Sequence, residues 1–371
     1  MKRYDNLYPC LISDSNLDKA IEVVCRGHRW VGDHRPNKTI LWVDSTREER
    51  REELRRIIVE GFVPTEPKIK RRYDNNARKW RDIAEPKLWP DQFVHHALIQ
   101  VLEPIMIRRM DPYCCGSIKG RGTMQGIKAM KKWMSNEYGS RWCLQMDIYH
   151  FYEQLQPEVV MDRLRQIIKD KQVLDLCERV MLHGVTIGAY FSQWFANTVL
   201  QPLDILIRQC DICHYVRYMD NFTVFAQSKK ALKKVRRIAD KWLRKHGMRL
   251  KGNWQYFMPD IRLPDAFGYR FGRGYTLIRK RRLLNIKRQT RTYHKIKKKK
   301  ISFKFAASYL SRIGGLKHCN STNIIRKYLP DRIQKKTKNI IKEHQKKELT
   351  SWNTYLEQYA EELKSRKDSK Q

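Results

Sequence analysis

Tyr215-Val216-Arg217-Tyr218-Met219-Asp220-Asn221-Phe222-Thr223-Val224-Phe225-Ala226 is the stretch on which the fold turns. Residues 215–219 and 222–226 are rich in β-branched and aromatic side chains, the composition of two strands. Asp220-Asn221 alone separates them, which is the spacing of a tight hairpin. Upstream, Trp142-Cys143-Leu144-Gln145-Met146 reads as another strand and closes on Asp147, 73 residues before Asp220. If these strands are neighbours in one sheet, both carboxylates converge on one point and can hold two Mg²⁺ ions. Two such ions activate an attacking 3′-hydroxyl and stabilise the leaving pyrophosphate of an in-line nucleotidyl transfer. Asp and Asn also suit hairpin tips for local reasons, so spacing alone leaves a plain turn as open as a metal site.

Neighbouring residues add weight to the metal site. Tyr152 lies five residues beyond Asp147, where an aromatic ring can stack on an incoming sugar and test its 2′ position. Packing of the Phe151/Tyr152 pair in the core is the competing account. Gly184 and Gly188 open a turn that runs through Ser192, Gln193 and Asn197 into a helix carrying Leu200, Leu203 and Leu206. Such a helix start can line a nucleotide pocket.

Further out, residues 1–75 read as helical and polar, with Leu17, Ala20, Ile21 and Val24 at helical spacing behind the cap Ser15. Residues 92–110 read as a helix interrupted near Pro104. A Gly-rich turn follows, Gly116 to Gly126, with Lys119 and Arg121 inside it. Pro157 opens a further helix, and the helix over 229–246 stops at Gly247. Residues 249–257 and 266–278 read as strands. Residues 279–300 hold 12 Lys/Arg and no acid, and residues after about 345 read as a charged tail.

The ordered set Gln145–Tyr152, Ile187–Gln193, Tyr218–Asn221 and Phe267–Phe271 resembles the palm motifs of bacterial reverse transcriptases. The form Ile187-Gly188-Ala189-Tyr190-Phe191-Ser192-Gln193 is most similar to enzymes of diversity-generating retroelements and their unclassified relatives. Ile83–Pro86, Asp91–Leu98 and Gly116–Gly122 resemble the fingers of the same family, and the likeness covers roughly residues 1–330. It implies an α+β right-hand polymerase with an antiparallel palm sheet. Residues 1–140 would be the N-terminal region and fingers, 141–278 the palm (motif B at 184–207), 279–345 a basic helical thumb and 346–371 a charged tail.

The resemblance also implies roles. Asp147, Asp220 and the Ile148 carbonyl would bind two Mg²⁺ ions, with Mn²⁺ as a substitute. Asn221 stands where the family usually has a second acid, which removes one negative charge from the site. Tyr152 resembles the gate against ribonucleotides, while Ser192 and Gln193 would lie near the templating base and incoming nucleotide. Arg81 and Lys87 are candidates for the triphosphate. Lys251 is a candidate acid for the leaving pyrophosphate, with Asn253 in a rival register. Gly268-Tyr269 resembles the primer grip. Lys119, Arg121, Arg281, Arg282, Lys287, Arg288 and Arg291 would contact nucleic acid. Asp91-Gln92 departs from the Asp-Arg pair common in relatives.

Composition agrees with a nucleic-acid partner. The 371 residues carry 77 Lys/Arg against 39 Asp/Glu, a net charge of +38. With 41% hydrophobic residues, ten Trp, 18 Tyr and 12 Phe, the chain buries a core, which excludes a disordered basic tail as an account of the whole. So large an excess points to a polyanion, and an anionic membrane surface is the weaker partner. No apolar run reaches the roughly 18–20 residues of a membrane span, and Met1–Asp5 leads into no secretory segment. Nine Cys are then expected as reduced thiols in the cytoplasm of a bacterium or a phage-infected cell. Cys210-Asp211-Ile212-Cys213-His214 matches a haem-attachment pattern but has no second Cys pair for zinc, and His95-His96 point apart on their helix.

The activity implied is an RNA-directed DNA polymerase extending a primer 3′-end with dNTPs. Its partners would be a template RNA and primer or cDNA, with a structured non-coding RNA and a small basic accessory protein as further candidates. An antiphage-defence reverse transcriptase and an inert RNA-binding protein of the same fold are the alternatives.

Overall fold

Leu17, Ala20, Ile21 and Val24 share one face of the helix Asp14–His28 and are all buried, as a 3.6-residue period requires. Its cap is Ser13, not Ser15. Ser13 is the last residue in extended backbone, and its hydroxyl accepts the Asn16 amide at 3.4 Å. The computed structural model describes residues 3–31, 35–74, 79–296, 301–329 and 331–368. The Lys297–Lys300 end of the basic stretch lies outside these. Helices Lys38–Ser45, Arg47–Val59 and Phe93–Arg109 pack on the first helix and complete a helical layer. Pro104 sits inside the last of them without ending it. Buried Leu102, Ile105 and Met106 on either side offset the roughly 3 kcal/mol that an interior proline costs.

In chain order an antiparallel hairpin, β1 (Lys68–Asp74) and β2 (Lys79–Glu85), comes between the last two of these helices. The main sheet contains β3 (Trp142–Asp147), β4 (His214–Tyr218), β5 (Asn221–Ala226) and β6 (Gln255–Phe257), in the spatial order β4-β5-β3-β6 with every pair antiparallel. This is the antiparallel palm sheet that the sequence implied.

Alternation along these strands divides the core in two. Leu144, Met146, Tyr215, Phe222 and Val224 point into the larger cluster, against the helices Tyr190–Arg208 and Lys229–Lys245. Cys143, Val216 and Phe225 point the other way, into a second cluster shared with the C-terminal helices. Farther along the same opposite face, toward one end of the sheet, come Gln145, Asp147, Asn221 and Thr223, and here the face opens into a cleft.

Residues 266–278, read from the sequence as a strand pair turning at Gly272-Arg273-Gly274, form that pair as β8 (Tyr269–Phe271) and β9 (Thr276–Ile278), with a third short strand, β7 (Asp265–Ala266), beside β8. Helices Lys280–Lys295, Phe303–Gly314 and Thr322–Tyr328 follow as the basic module. The charged tail expected after residue 345 is instead part of one helix, Asp331–Asp368. It packs first against Phe303–Gly314 and then against Lys38–Ser45. Trp352 is buried there, donates from Nε1 to Asp44 at 3.1 Å, and meets Trp30 edge-on at 5.6 Å. Its few apolar residues are diluted among charges, which is why the segment reads as a tail. Among the described residues no helix is long and apolar enough to cross a membrane.

Candidate active site

β3 and β5 are neighbours, and their register sets Asp147 opposite Asn221. Asp220 therefore stands beside Asp147 at one end of the sheet. The turn is shifted by one residue from the expected Asp220-Asn221. Tyr218 pairs with Asn221, so Met219-Asp220 make the turn, and Met219 takes the left-handed φ of 56°. The Ile148 amide donates to the Asp220 carbonyl at 3.2 Å and ties the two strand ends together.

Burial pushes the Asp147 carboxyl up to about 6, the Asp220 charge adds to the rise, and Lys251 opposes it. The Lys251 ammonium lies 3.6 Å from Asp147 Oδ2. Asp147 Oδ1 is buried and has no hydrogen-bond partner. Asn221 is exposed and donates from Nδ2 to Asp220 Oδ1 at 2.9 Å, so it orients that carboxylate and adds no charge.

An unpartnered carboxylate oxygen facing a second carboxylate is short of positive charge, and its hard oxygen donors fit a divalent cation. Among the described residues no group of three His, Cys, Asp or Glu could hold a metal. A cation here would draw on Asp147, Asp220 and backbone, with the remaining ligands from water or substrate oxygens.

In front of the pair lies a cleft of about 460 Å³ whose lining includes Gln145, Tyr218, Asn253, Phe267, Gly268 and Arg282. Gly268 has φ +85°, a conformation that strains any residue with a Cβ, and it lies close beneath the Arg282 guanidinium. Residues 73–258, half of the chain, match the family model described as reverse transcriptase (RNA-dependent DNA polymerase).

The chain belongs to the reverse transcriptase family. A stretch of 95 residues is also 30% identical to nuclear intron maturase 1, mitochondrial, of Arabidopsis thaliana, covering 26% of this chain and 13% of that protein. The chain thus matches about an eighth of that relative's length. Among solved structures, telomerase from Candida albicans in complex with a TWJ fragment of telomeric RNA aligns with a TM-score of 0.46 and 14% identity, over 81% of this chain and 59% of that one. Apo telomerase from Candida tropicalis, truncated of its C-terminal domain, aligns with a TM-score of 0.42 and 12% identity, over 60% and 58%.

The structure gathers some of this family member's expected site residues and separates others. Tyr152 is half-buried against the larger core; burial and the Asp220 charge both raise its hydroxyl, so it stays neutral beside the carboxylates. Gln193 is exposed, but Ser192 is buried with its hydroxyl unpartnered. The helix begins at Tyr190 and turns Ser192 inward, while Gln193 faces outward.

Tyr269 also faces inward. It is buried and donates to the Gly315 carbonyl at 2.7 Å, fastening β8 to the C-terminal helices, while Gly268 alone faces the cleft. Arg81 is engaged with Asp74 at 3.0 Å inside the β1–β2 hairpin, and Lys87 is exposed beyond it. Lys119 is exposed, whereas Arg121 donates to the Met110 and Asp111 carbonyls at 3.4 and 3.3 Å and braces the Gly-rich turn.

On the helix Lys280–Lys295, Ile286, Gln289 and Thr290 face inward and Arg288 and Arg291 face solvent. Arg281 and Arg282 are half-exposed, and Lys287 lies over the Tyr328 ring at 4.6 Å. Asp91 accepts from the Thr65 amide at 3.0 Å and holds a bend, a role that needs no arginine at 92. His95 and His96 meet Phe191 and Tyr190 separately, and His214 stacks flat on Trp133 at 5.0 Å.

Two features escaped the sequence reading. Gly188 has φ +122°, and a Cβ there would lie 2.1 Å from the Ala84 carbonyl oxygen. The Ala84 amide donates to Ile187 at 2.8 Å, so the Ile-Gly turn is moulded on β2. Arg217, wholly buried within an otherwise apolar strand, is the other. A charge inside a buried-strand pattern was the available signal.

Proposed function

We propose that the chain is an RNA-directed DNA polymerase that extends a primer 3′-end with dNTPs. The observation that carries this is the Asp147–Asp220 pair, with one buried oxygen unsatisfied, at the mouth of a cleft in a reverse transcriptase fold. Asp147, Asp220 and the Ile148 carbonyl would hold two Mg²⁺ ions. When bound, these supply the charge that lowers the pKa of the attacking 3′-hydroxyl and offsets the leaving pyrophosphate.

The protein's own residues do the rest. Asn221 holds Asp220 in orientation through its 2.9 Å bond. Lys251, beside Asp147, is placed to meet negative charge that develops on the phosphates. Tyr152, neutral and pinned by packing, closes the sugar side of the site. Gly268 and Arg282 offer a cationic bed for the primer strand. Arg288 and Arg291 extend it along the basic helix, so binding of the template–primer duplex weakens steeply with salt. The Ile187-Gly188-x-x-x-Ser192-Gln193 form supports a finer reading, mutagenic copying of a template RNA in a diversity-generating retroelement.

The test compares wild type with Asp220→Ala on a primed RNA, with Mg²⁺ and Mn²⁺ supplied separately. Synthesis by the wild type, reduced at least 10³-fold in the variant, is expected (roughly 4 kcal/mol). Absence of synthesis with either ion, even with co-purified cellular RNA, would favour an inert RNA-binding protein, the reading that Asn221 alone supports.

A further inference from the structure

Arg217 has five N–H donors, and the structure gives each an acceptor. Nε donates to Asp204 Oδ1 at 2.8 Å and Nη2 to Asp204 Oδ2 at 2.7 Å. Nη2 also reaches the Asn197 carbonyl at 3.4 Å, and Nη1 the Asn197 side-chain oxygen at 2.8 Å. The remaining bond runs from Nη1 to the Met219 carbonyl at 3.1 Å. Arg217 and Asp204 are 0% and 1% exposed. Tyr215 donates to the same Asp204, and Asn197 donates to the Gly116 carbonyl at 2.9 Å.

Met219 is the residue in the left-handed region immediately before Asp220. That conformation is costly for any residue with a Cβ. The turn is seated tightly as well, because a Cβ on Gly116 would lie 2.5 Å from the Met219 sulfur and 2.7 Å from its amide nitrogen. The guanidinium therefore grips the turn from behind while the absent side chain at 116 leaves room in front.

We propose that Arg217 is a positioning residue for Asp220. By holding the Met219 carbonyl it fixes the left-handed turn that aims the carboxylate at Asp147. Through Asn197 and Asp204 it also joins that turn to the helix that begins at Tyr190, so the carboxylate and the helix flanking the nucleotide site move as one body. Lysine cannot replace it, since three donors on one nitrogen cannot span acceptors spread around the edge of a planar guanidinium. The inference rests on the polymerase reading for its catalytic consequence, but its geometric content does not.

The test uses the double variant Arg217→Met/Asp204→Leu, which removes the buried pair without stranding a charge, and the triple variant that adds Met219→Gly. Glycine takes a positive φ freely, so the turn then needs no grip. Two readouts are followed in the full chain beside Tm: kcat and KM for dNTP, and Mn²⁺ affinity by electron paramagnetic resonance without nucleic acid. In the double variant kcat should fall about 30-fold with KM for dNTP within twofold, and Mn²⁺ should bind about tenfold more weakly. Met219→Gly should recover most of both losses without restoring Tm. Unchanged Mn²⁺ affinity in the double variant, or losses that follow Tm and ignore Met219→Gly, would overturn the proposal. A wild type that binds Mn²⁺ yet synthesises nothing would count against the polymerase reading alone, because the Mn²⁺ series still judges Arg217.

Discussion

The β1–β2 and β4–β5 hairpins are both antiparallel and similar in length, yet one stands in solvent and the other is enclosed on both faces. In β4–β5, Tyr215, Val216, Arg217 and every residue from Phe222 to Ala226 are buried. In β1–β2, Ala84 is the one buried residue among those described, and Ile69, Tyr73 and Trp80 are 63%, 45% and 58% exposed. That hairpin is held by its own cross-strand contacts: Tyr73 edge-on to Trp80 at 5.3 Å, Arg81 with Asp74, and Arg72 with Glu85 at 2.6 Å. Exposed ion pairs contribute about 0–1 kcal/mol each, and a two-stranded ribbon is marginal alone. A carboxylate that must be aimed sits on the enclosed hairpin. The exposed one, anchored at its base by Ala84 and Ile187, is free to adapt to what it meets.

Cutting into the enclosed hairpin should produce the largest effect. Phe225→Ala removes a buried ring from the second core cluster and should cost about 3–5 kcal/mol, read by denaturant unfolding. Trp80→Ala in the same assay should change stability by less than about 1 kcal/mol; equal losses would dissolve the contrast.

A smaller effect sharpens the view that the enclosed site is strained by its own charge. Asp147 has its pKa raised from 3.8 to about 6, so its charged form destabilises the metal-free fold above that pH. Stability should therefore rise as pH falls through 6 toward 4, where wild type regains what it lost. Asp147→Asn should be more stable than wild type by about 1–3 kcal/mol at pH 7.5 without metal, and the advantage should vanish near pH 4. A pH-independent advantage, measured by Tm, would rule this account out.

The smallest effect belongs to the exposed hairpin. Trp80→Ala should weaken binding of single-stranded RNA about fivefold, roughly 1 kcal/mol, with kcat on a saturating template unchanged. Fluorescence anisotropy checks the binding, and no change would leave Trp80 without a stacking role.

Much of the enclosed region was legible because β-branched and aromatic strand composition and the strand-end acids are local signals. The register that sets Asp147 opposite Asn221 depends on how β3 and β5 pair across the sheet. The turn itself was misplaced by one residue because Asp-Asn favours a tip locally, whereas Gly116, and Asn197 and Asp204 through Arg217, act on it from distant parts of the chain. Ser192 and Tyr269 face inward for a related reason. Motif position shows that a residue lies near a site, but helix phase and strand parity decide which way it faces. The helix Asp331–Asp368 was invisible because Trp352, Leu356 and Tyr359 find their partners only in the N-terminal layer.

That helix also orders events in time. Trp352 bonds to Asp44 across 308 residues of sequence, a contact that no nascent chain can form until residue 352 has left the ribosome. At 5–20 residues per second the delay is on the order of 15–60 s, during which Trp30 and the Lys38–Ser45 helix lack their final cover. The N-terminal layer is thus made first and finished last.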